Sequence, residues 1–328
     1  MCRVGVVIVN WNSGEFIKKC IHSVLNQTFK DIGVLLIDNA SEDNSVTKTR
    51  EEFPDLKWIL NKKNIGYSSA HNLGLKSIDD EFHLTLNPDV ILTPDYIEKL
   101  IKVFEDFPSA SNSTGKLLSY SAKGKIDSAG VAFCSNRNCY ILGKGEEDRE
   151  WFNVAREVPG GVGAGMMYRR KALYEVAIDG EIFDEDFFAY VEEVDLDWRL
   201  RLRGWVCRYE PTAVAYHLGD ISRGSQNIYT TTHFLKNRYL VLLKNDSLKD
   251  FLFHLPGFIR FQFTHILPQF LMSPGLIFNV PFSFFKIAPK ILKKRKLQNI
   301  SSESRQRLNK KFFSLSDRLI REKKINRR

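Results

Sequence analysis

The sequence predicts a doubly wound α/β sheet, mixed but mostly parallel, followed by a helical extension. Three observations carry that reading. Residues 4–9 (Val4-Gly5-Val6-Val7-Ile8-Val9) are almost continuously apolar, as a central strand buried on both faces must be. Short apolar runs then alternate with helical periodicity as far as Leu86, the pattern of strands joined by crossover helices. Finally, residues 261–285 contain no Asp, Glu, Lys or Arg, and the chain changes character there.

Taken in order, the first apolar run ends at Asn10-Trp11-Asn12-Ser13-Gly14. Phe16, Ile17, Cys20, Ile21, Val24 and Leu25 then recur at helical spacing. Val34-Leu35-Leu36-Ile37 is a second strand closed by Asp38-Asn39-Ala40-Ser41, and residues 42–53 read as a polar helix. A third strand over 56–60 leads through Asn64-Ile65-Gly66-Tyr67 into a small-residue helix over 68–77. Phe82-His83-Leu84-Thr85-Leu86 is a fourth strand, stopped by Pro88, which has no N–H for a ladder.

The middle, about 109–158, is less regular. Residues 125–133 and 138–142 look like hairpin strands, and 146–156 like a mobile polar loop. The glycine-rich run 160–165 lets the backbone approach a neighbour closely. Met166-Met167-Tyr168 is strand and 169–176 a short helix. Residues 191–203 form a helix with Glu192, Glu193, Asp195 and Asp197 near its amino end, where the macrodipole tolerates them. Gly204 stops it, and 206–209 and 213–217 are closing strands.

Beyond Gly219, residues 229–244 form a helix with apolar and basic faces. The charge-free stretch 261–285 is long enough to span a bilayer, but Pro268, Pro274 and Pro281 interrupt it. Broken helices lying in the membrane interface are the preferred reading, with a partner groove, a true span and a buried helical subdomain as alternatives. Residues 286–328 carry 16 Lys/Arg and 3 Asp/Glu, a net of +13 out of the chain's +9, which leaves residues 1–285 at −4. An acidic body argues against a nucleic-acid groove; a basic tail, with Lys293-Lys294-Arg295-Lys296, fits an anionic membrane surface. The five cysteines are scattered, and Arg3 is followed at once by a strand, so no secretory leader is read and a reducing cytoplasm is expected.

Asp89 places a carboxylate at the carboxyl end of a strand, where open α/β sheets bind ligands. Such an oxygen suits a hard divalent cation, and a sugar nucleotide's diphosphate suits that cation. The wider set of motifs is specific. Val6-Val7-Ile8-Val9-Asn10-Trp11-Asn12, Ile37-Asp38-Asn39-Ala40-Ser41, Asn64-Ile65-Gly66, Asn72-Leu73-Gly74 and Leu86-Asn87-Pro88-Asp89 occur in that order. Gly165-Met166-Met167, Phe188-Ala189-Tyr190-Val191-Glu192-Glu193-Val194-Asp195 and His217 follow. Together they resemble a family-2 glycosyltransferase of the GT-A fold, in its bacterial rhamnosyltransferase-like branch, over roughly residues 3–220.

That resemblance implies a catalytic domain over 1–222; composition adds a helical, apolar, membrane-interfacial region over 223–290 and a basic tail over 291–328. It implies that Asn10 and Asp38 hold base and ribose, that Asn64 and Gly66 pass beside the ribose, and that Asn87 touches ribose or metal shell. Asp89 and His217 would bind Mn²⁺ or Mg²⁺. Glu193 takes the position of the catalytic base, with glutamate where the family usually has aspartate; Glu192 would orient sugar or acceptor. Gly165 and Asp195 would also meet substrate, although Asp195 could equally brace Arg199 four residues on. The implied activity is inverting, metal-dependent transfer from a nucleotide-diphospho-sugar to a lipid-linked or cell-surface saccharide, with rhamnose the first donor sugar and galactose or glucose the alternatives. The implied setting is cytoplasmic, on the inner face of the plasma membrane. A non-catalytic sugar-nucleotide binder competes with it. A nucleotidyltransferase is disfavoured, since no glycine-rich, lysine-containing loop follows the first strand.

Overall fold

The expected sheet is present in the computed structural model, which describes residues 2–218 and 228–326. Its first half runs β1 (Cys2–Asn10), α1 (Phe16–Leu25), β2 (Ile32–Asp38), α2 (Ser45–Glu52), β3 (Lys57–Leu60), α3 (Gly66–Ser77) and β4 (Asp80–Leu86). β1 lies between β2 and β4, parallel to both, and β3 extends the parallel half beyond β2. The winding reverses between β1 and β4, so the crevice at their carboxyl ends is the expected ligand position. Val4, Val6, Ile8, Leu36, Leu84 and Leu86 form the core between the sheet and α1.

The second half holds β5 (Val90–Leu92), α4 (Tyr96–Asp106), β6 (Ala110–Ser119), β7 (Ile126–Ser128), β8 (Val131–Phe133), β9 (Cys139–Ile141), β10 (Arg156–Val158), β11 (Gly165–Arg169), α5 (Arg170–Glu175), α6 (Glu192–Leu202) and β12 (Val206–His217). The large sheet has the order β10-β12-β6-β11-β4-β1-β2-β3, and β8 pairs with β9 as a separate hairpin. Antiparallel β11 sits between β4 and β6, which makes the sheet mixed. The two expected closing strands are one long strand, β12, with an irregular register between Glu210 and Val214.

β6 lies where the sequence showed only irregularity. Its residues are ASNSTGKLLS, and the first eight are buried. Buried polar side chains need partners. Asn112 finds Asp197 at 2.7 Å, and Lys116 finds Asp148 at 2.9 Å. The loop expected to be mobile carries a 3₁₀ turn over Glu150–Asn153 and is tied down at Glu146, which pairs with Arg149 and Lys323.

The C-terminal region comprises α7 (Ile228–Asn245), α8 (Leu248–Phe253), α9 (Leu255–Phe261), α10 (Leu267–Met272), α11 (Leu276–Leu297) and α12 (Ser302–Ile325). A π-helical turn over Gln262–Ile266 joins α9 to α10. Among the described residues no single helix is long and apolar enough to cross a membrane. Leu255–Met272 and Leu276–Leu297 reach that length and composition only together, and they meet at 112°. Phe263, Leu271, Met272, Phe278, Phe282 and Phe285 are exposed along them.

The expected basic tail differs most. Lys294 and Arg295 turn inward: Lys294 Nζ lies 2.8 Å from both Glu181 and Asp186, and Arg295 donates to the Leu243 carbonyl at 2.9 Å. Lys293 and Lys296 stay exposed. α12 packs on α6 and β8; Trp198 stacks on Phe312 with ring centroids 5.3 Å apart and donates to Asn309 at 2.8 Å. Amphipathic spacing supplies the reason, since Phe312, Phe313, Ser316 and Leu319 share one buried face. The boundary expected at residues 222 and 223 lies outside the described residues.

Candidate active site

At the ends of β1 and β2, register places Asn10 beside Asp38. Asn10 Nδ2 donates to Asp38 Oδ1 at 2.8 Å and to the hydroxyls of Ser41 and Ser45 at 3.0 Å, while its own carbonyl accepts from Ser13. Asn10 is fully buried and its amide is occupied. It orients Asp38. Asp38 also accepts from the backbone N–H of Ser41 at 3.0 Å.

Asn64 and Gly66 build a turn. The Asn64 side chain accepts from the Gly66 N–H at 2.8 Å. Gly66 has φ +83°, and a Cβ there would stand 2.6 Å from the Phe188 ring and carbonyl. Its bareness admits the loop before α6. Gly165 is likewise covered: Tyr96 Oη donates to its carbonyl at 2.5 Å. The glycine run 160–165 is packed closely by side chains of the fold itself. A Cβ on Gly160 would lie 2.1 Å from Asp197 Oδ2, and one on Gly163 would lie 2.7 Å from Tyr67 Oη.

Asn87 and Asp89 follow β4. The Asn87 N–H donates to the Ala164 carbonyl at 2.9 Å, leaving its half-buried side chain beside Asp89. Asp89 is buried, its Oδ2 has no partner, and its Oδ1 lies 3.4 Å from His217 Nε2. His217 Nδ1 lies 2.8 Å from Asp127, a residue the sequence did not single out, and Asp127 also pairs with Lys144. Burial works against a charged His217 ring, but hydrogen bonds to Asp127 and Asp89 raise it to about 9. With Nδ1–H held by Asp127, Nε2 turns toward a carboxylate, and only a cation, whether proton or metal, relieves that pair. The orphaned Asp89 oxygen and this imidazole therefore fit a divalent cation. Among the described residues no group of three His, Cys, Asp or Glu side chains could hold a metal. The remaining ligands would come from donor and water.

Glu192 and Glu193 open α6, and each has an Oε2 that is buried without a hydrogen-bond partner. Burial raises Glu193 to about 7. Burial first, then the charge of Glu193, raises Glu192 well above the usual carboxylate range. Both lie close enough to Tyr67 to push its phenol further up, after burial itself. Tyr67 donates to the Gly163 carbonyl at 2.9 Å, and Thr85 of β4 donates to the same oxygen at 3.0 Å. So Gly163-Ala164 is held from β4 and the turn after it, by Thr85 and Asn87, and from α3 by Tyr67, whose phenol the two glutamates push up. Asp197, beneath Gly160 and Gly161, is raised well above its usual range by burial, although the Gly161 N–H and Asn112 hold it. Four carboxylates within six residues look uniformly solvated in a sequence, and nothing there marks Asp197 as different.

Asp195 braces Arg199, as helical spacing allowed. It is fully buried and accepts from Arg199 at 2.9 Å, Lys244 at 2.8 Å and Asn245 at 2.8 Å. Burial opposes its charge, yet Lys244 and Arg199 hold it below the ordinary value. No oxygen is left for substrate. Arg199 completes this support by donating to the Val176 and Ile182 carbonyls.

The loop entering α6 is strained. Phe188, Tyr190 and Val191 have φ of 68°, 72° and 71°, which costs roughly 1–3 kcal/mol for each such residue. Strain of this kind persists where the surroundings impose it, and here it aims the two glutamates.

The sequence profile of glycosyl transferase family 2 matches residues 5–177, more than half of the chain. An N-acetylglucosaminyl-diphospho-decaprenol L-rhamnosyltransferase of Mycobacterium tuberculosis is 27% identical over 271 residues, covering 74% of this chain and 84% of that protein. An uncharacterized glycosyltransferase of Bacillus subtilis is 26% identical over 61% of this chain and 67% of its own. Among solved structures, GalNAc-T7 with UDP, GalNAc and Mn²⁺ superposes with a TM-score of 0.60 at 15% identity, over 76% of this chain and 49% of that one. Staphylococcus aureus TarS gives 0.55 at 16% identity, over 92% of this chain and 54% of that one. These two likenesses concern the fold, which is GT-A. With its motifs at the carboxyl ends of the strands and its profile match beyond half its length, the chain belongs to glycosyl transferase family 2 and is a rhamnosyltransferase-like glycosyltransferase.

Proposed function

We propose that this enzyme moves a sugar, with inversion, from a nucleotide diphosphate to a lipid-linked saccharide at an anionic membrane surface. The observation that carries the reading is the pair of buried, partnerless carboxylate oxygens on Glu192 and Glu193. A buried carboxyl raised to about 7 is suited to take a proton near neutral pH. Glu193 accepts the proton of the acceptor hydroxyl; that oxygen bonds to the anomeric carbon as the bond to the diphosphate breaks, and the electron pair leaves with the phosphate. Glu192, the more strongly raised of the two, keeps its proton and donates a hydrogen bond to sugar or acceptor. Asp38 accepts from base or ribose donors at the far end of the crevice.

Asp89 and His217 would hold Mn²⁺ or Mg²⁺. When bound, such a cation neutralises charge on the departing diphosphate. The orphaned Asp89 oxygen supports this reading, and the likeness to an Mn²⁺-containing structure agrees with it. In calorimetry, Asp89→Asn should abolish the Mn²⁺-dependent part of donor binding; affinity equal to wild type would refute the metal role.

The decaprenol-linked substrate named for the mycobacterial relative supports a lipid-linked acceptor and rhamnose from dTDP-rhamnose as the first donor to test. A thermal-shift panel of dTDP-rhamnose, UDP-galactose and UDP-glucose with Mn²⁺ checks the donor, followed by transfer to a diphosphoprenyl N-acetylglucosamine. Binding without turnover on any acceptor would favour the non-catalytic reading. The exposed phenylalanines of α11, with Lys293 and Lys296 exposed farther along the same helix, support contact with anionic lipid. Replacing Phe278, Phe282 and Phe285 by serine should reduce co-sedimentation with phosphatidylglycerol vesicles; unchanged sedimentation would count against the membrane contact.

A further inference from the structure

We infer that Asn237 is a positioning residue for this reaction, its side chain on α7 holding the loop that aims Glu192 and Glu193. The inference rests on reading those two glutamates as the groups that meet sugar and acceptor.

The segment before α6 takes a path that its residues would not choose. Phe188 has φ 68° and ψ −68°, and the Ala189 N–H donates to the Phe187 carbonyl at 2.9 Å. That is the rare γ-turn with positive φ. Val191, β-branched, sits in the left-handed region with φ 71° and ψ −3°. None of residues 188–191 is glycine, which alone adopts such angles freely. The conformation is imposed from outside.

Asn237 is what imposes it. The side chain is fully buried, and its Nδ2 donates to the carbonyls of Phe187 at 2.9 Å, Ala189 at 2.9 Å and Tyr190 at 2.6 Å. Three carbonyl oxygens can only accept, so the amide nitrogen must face them, with one N–H shared. From the other side the Ser68 N–H donates to the Phe188 carbonyl at 3.1 Å. The next carbonyl along, that of Val191, accepts from the Asp195 N–H at 3.1 Å and begins the helix. Any shift of this loop is therefore a shift of Glu192 and Glu193. Seven and eight residues farther along α7, on the same face, Lys244 and Asn245 grip Asp195. One helix of the extension thus fixes the catalytic helix at two points.

The test uses the full chain with Asn237→Ala and with Asn237→Asp, which keeps the volume but sets a carboxylate against three carbonyls. An ångström of misplacement costs about 100-fold in rate, so kcat should fall by about that factor. Donor Kd and acceptor KM should stay within about threefold of wild type, because the loss lies in the transition state. Adding Tyr190→Gly to Asn237→Ala should recover about tenfold in kcat, since glycine holds the left-handed conformation without the clamp. Should Asn237→Ala be insoluble, Asn237→Asp and Asn237→Ser give the same comparison of kcat with KM. The inference is overturned if these variants keep wild-type kcat, or if Tyr190→Gly restores nothing. Glu193→Gln separates it from the underlying assignment. Wild-type turnover in Glu193→Gln would remove the base itself, whereas an inactive Glu193→Gln beside active Asn237 variants would remove only the clamp.

Discussion

The two faces of α6 carry carboxylates two residues apart that have opposite fates. Glu193 faces Tyr67, has an oxygen with no partner, and is raised by burial to about 7. Asp195 is at least as enclosed, but it meets Lys244, Arg199 and Asn245 and is held below its ordinary value. Burial is common to both, so burial does not decide between them. The partners do. A desolvated carboxylate left without cations is reactive and costly; one given two cations is structural and inert. The fold gains its support from one face of the helix, and the proposed chemistry falls on the other.

The contrast can be broken most severely at Glu193. Glu193→Gln should lower kcat by roughly 10²–10⁴-fold while donor affinity stays near wild type, as steady-state rates and calorimetry would reveal. Asp195→Ala should do the reverse kind of damage. Removing it strands Lys244 and Arg199 in the interior, with an expected loss of about 3–5 kcal/mol in urea unfolding. Any specific loss of kcat in protein that remains folded would make Asp195 more than support.

The pH behaviour should diverge in the same way. The base must be ionised, so the rate should fall about tenfold per unit as pH drops below about 7, the value to which burial raises Glu193. Asp195 is depressed instead; its stabilisation is present above the ordinary value near 4 and disappears as pH falls through the lower folded value. The smallest effect concerns stability without ligand. Glu193 is raised on folding, so its favourable contribution exists below about 4.3 and is lost as pH rises through about 7. At pH 8 Glu193→Gln should therefore be more stable than wild type by about 1–3 kcal/mol, a margin that vanishes near pH 4. A margin independent of pH would mean that the glutamate is not desolvated.

Much of this arrangement was legible in the chain, for identifiable reasons. β1, β2 and β4 announce themselves because strands buried on both faces must be apolar. The pairing of Asp195 with Arg199 follows from helical spacing. β6 was invisible because Ser111, Asn112, Ser113 and Thr114 fill its buried first half and carry no hydrophobic period; Ser111 pairs with Asn112, and Asn112 with Asp197. Asn64, Gly66 and Gly165 stand out as motif residues, yet Asn64 accepts from the Gly66 N–H, Gly66 makes room for Phe188, and Tyr96 donates to the Gly165 carbonyl; a motif marks a position and does not say which neighbour it serves. Asn237 gave no signal at all. An amide on a helix of mixed character becomes meaningful only when three carbonyls are found around it.

The return of α12 to the body of the molecule has a practical side. The family profile ends at residue 177, but the indole of Trp198 rests on Phe312, and the Phe133 N–H finds its acceptor on Ser316. A shortened protein stopping near residue 250 would uncover an aromatic seam beside the catalytic helix. The last two dozen residues are a wall of the enzyme rather than an appendage. Swapping this end between relatives to move an enzyme from one surface to another would disturb catalysis before it changed address.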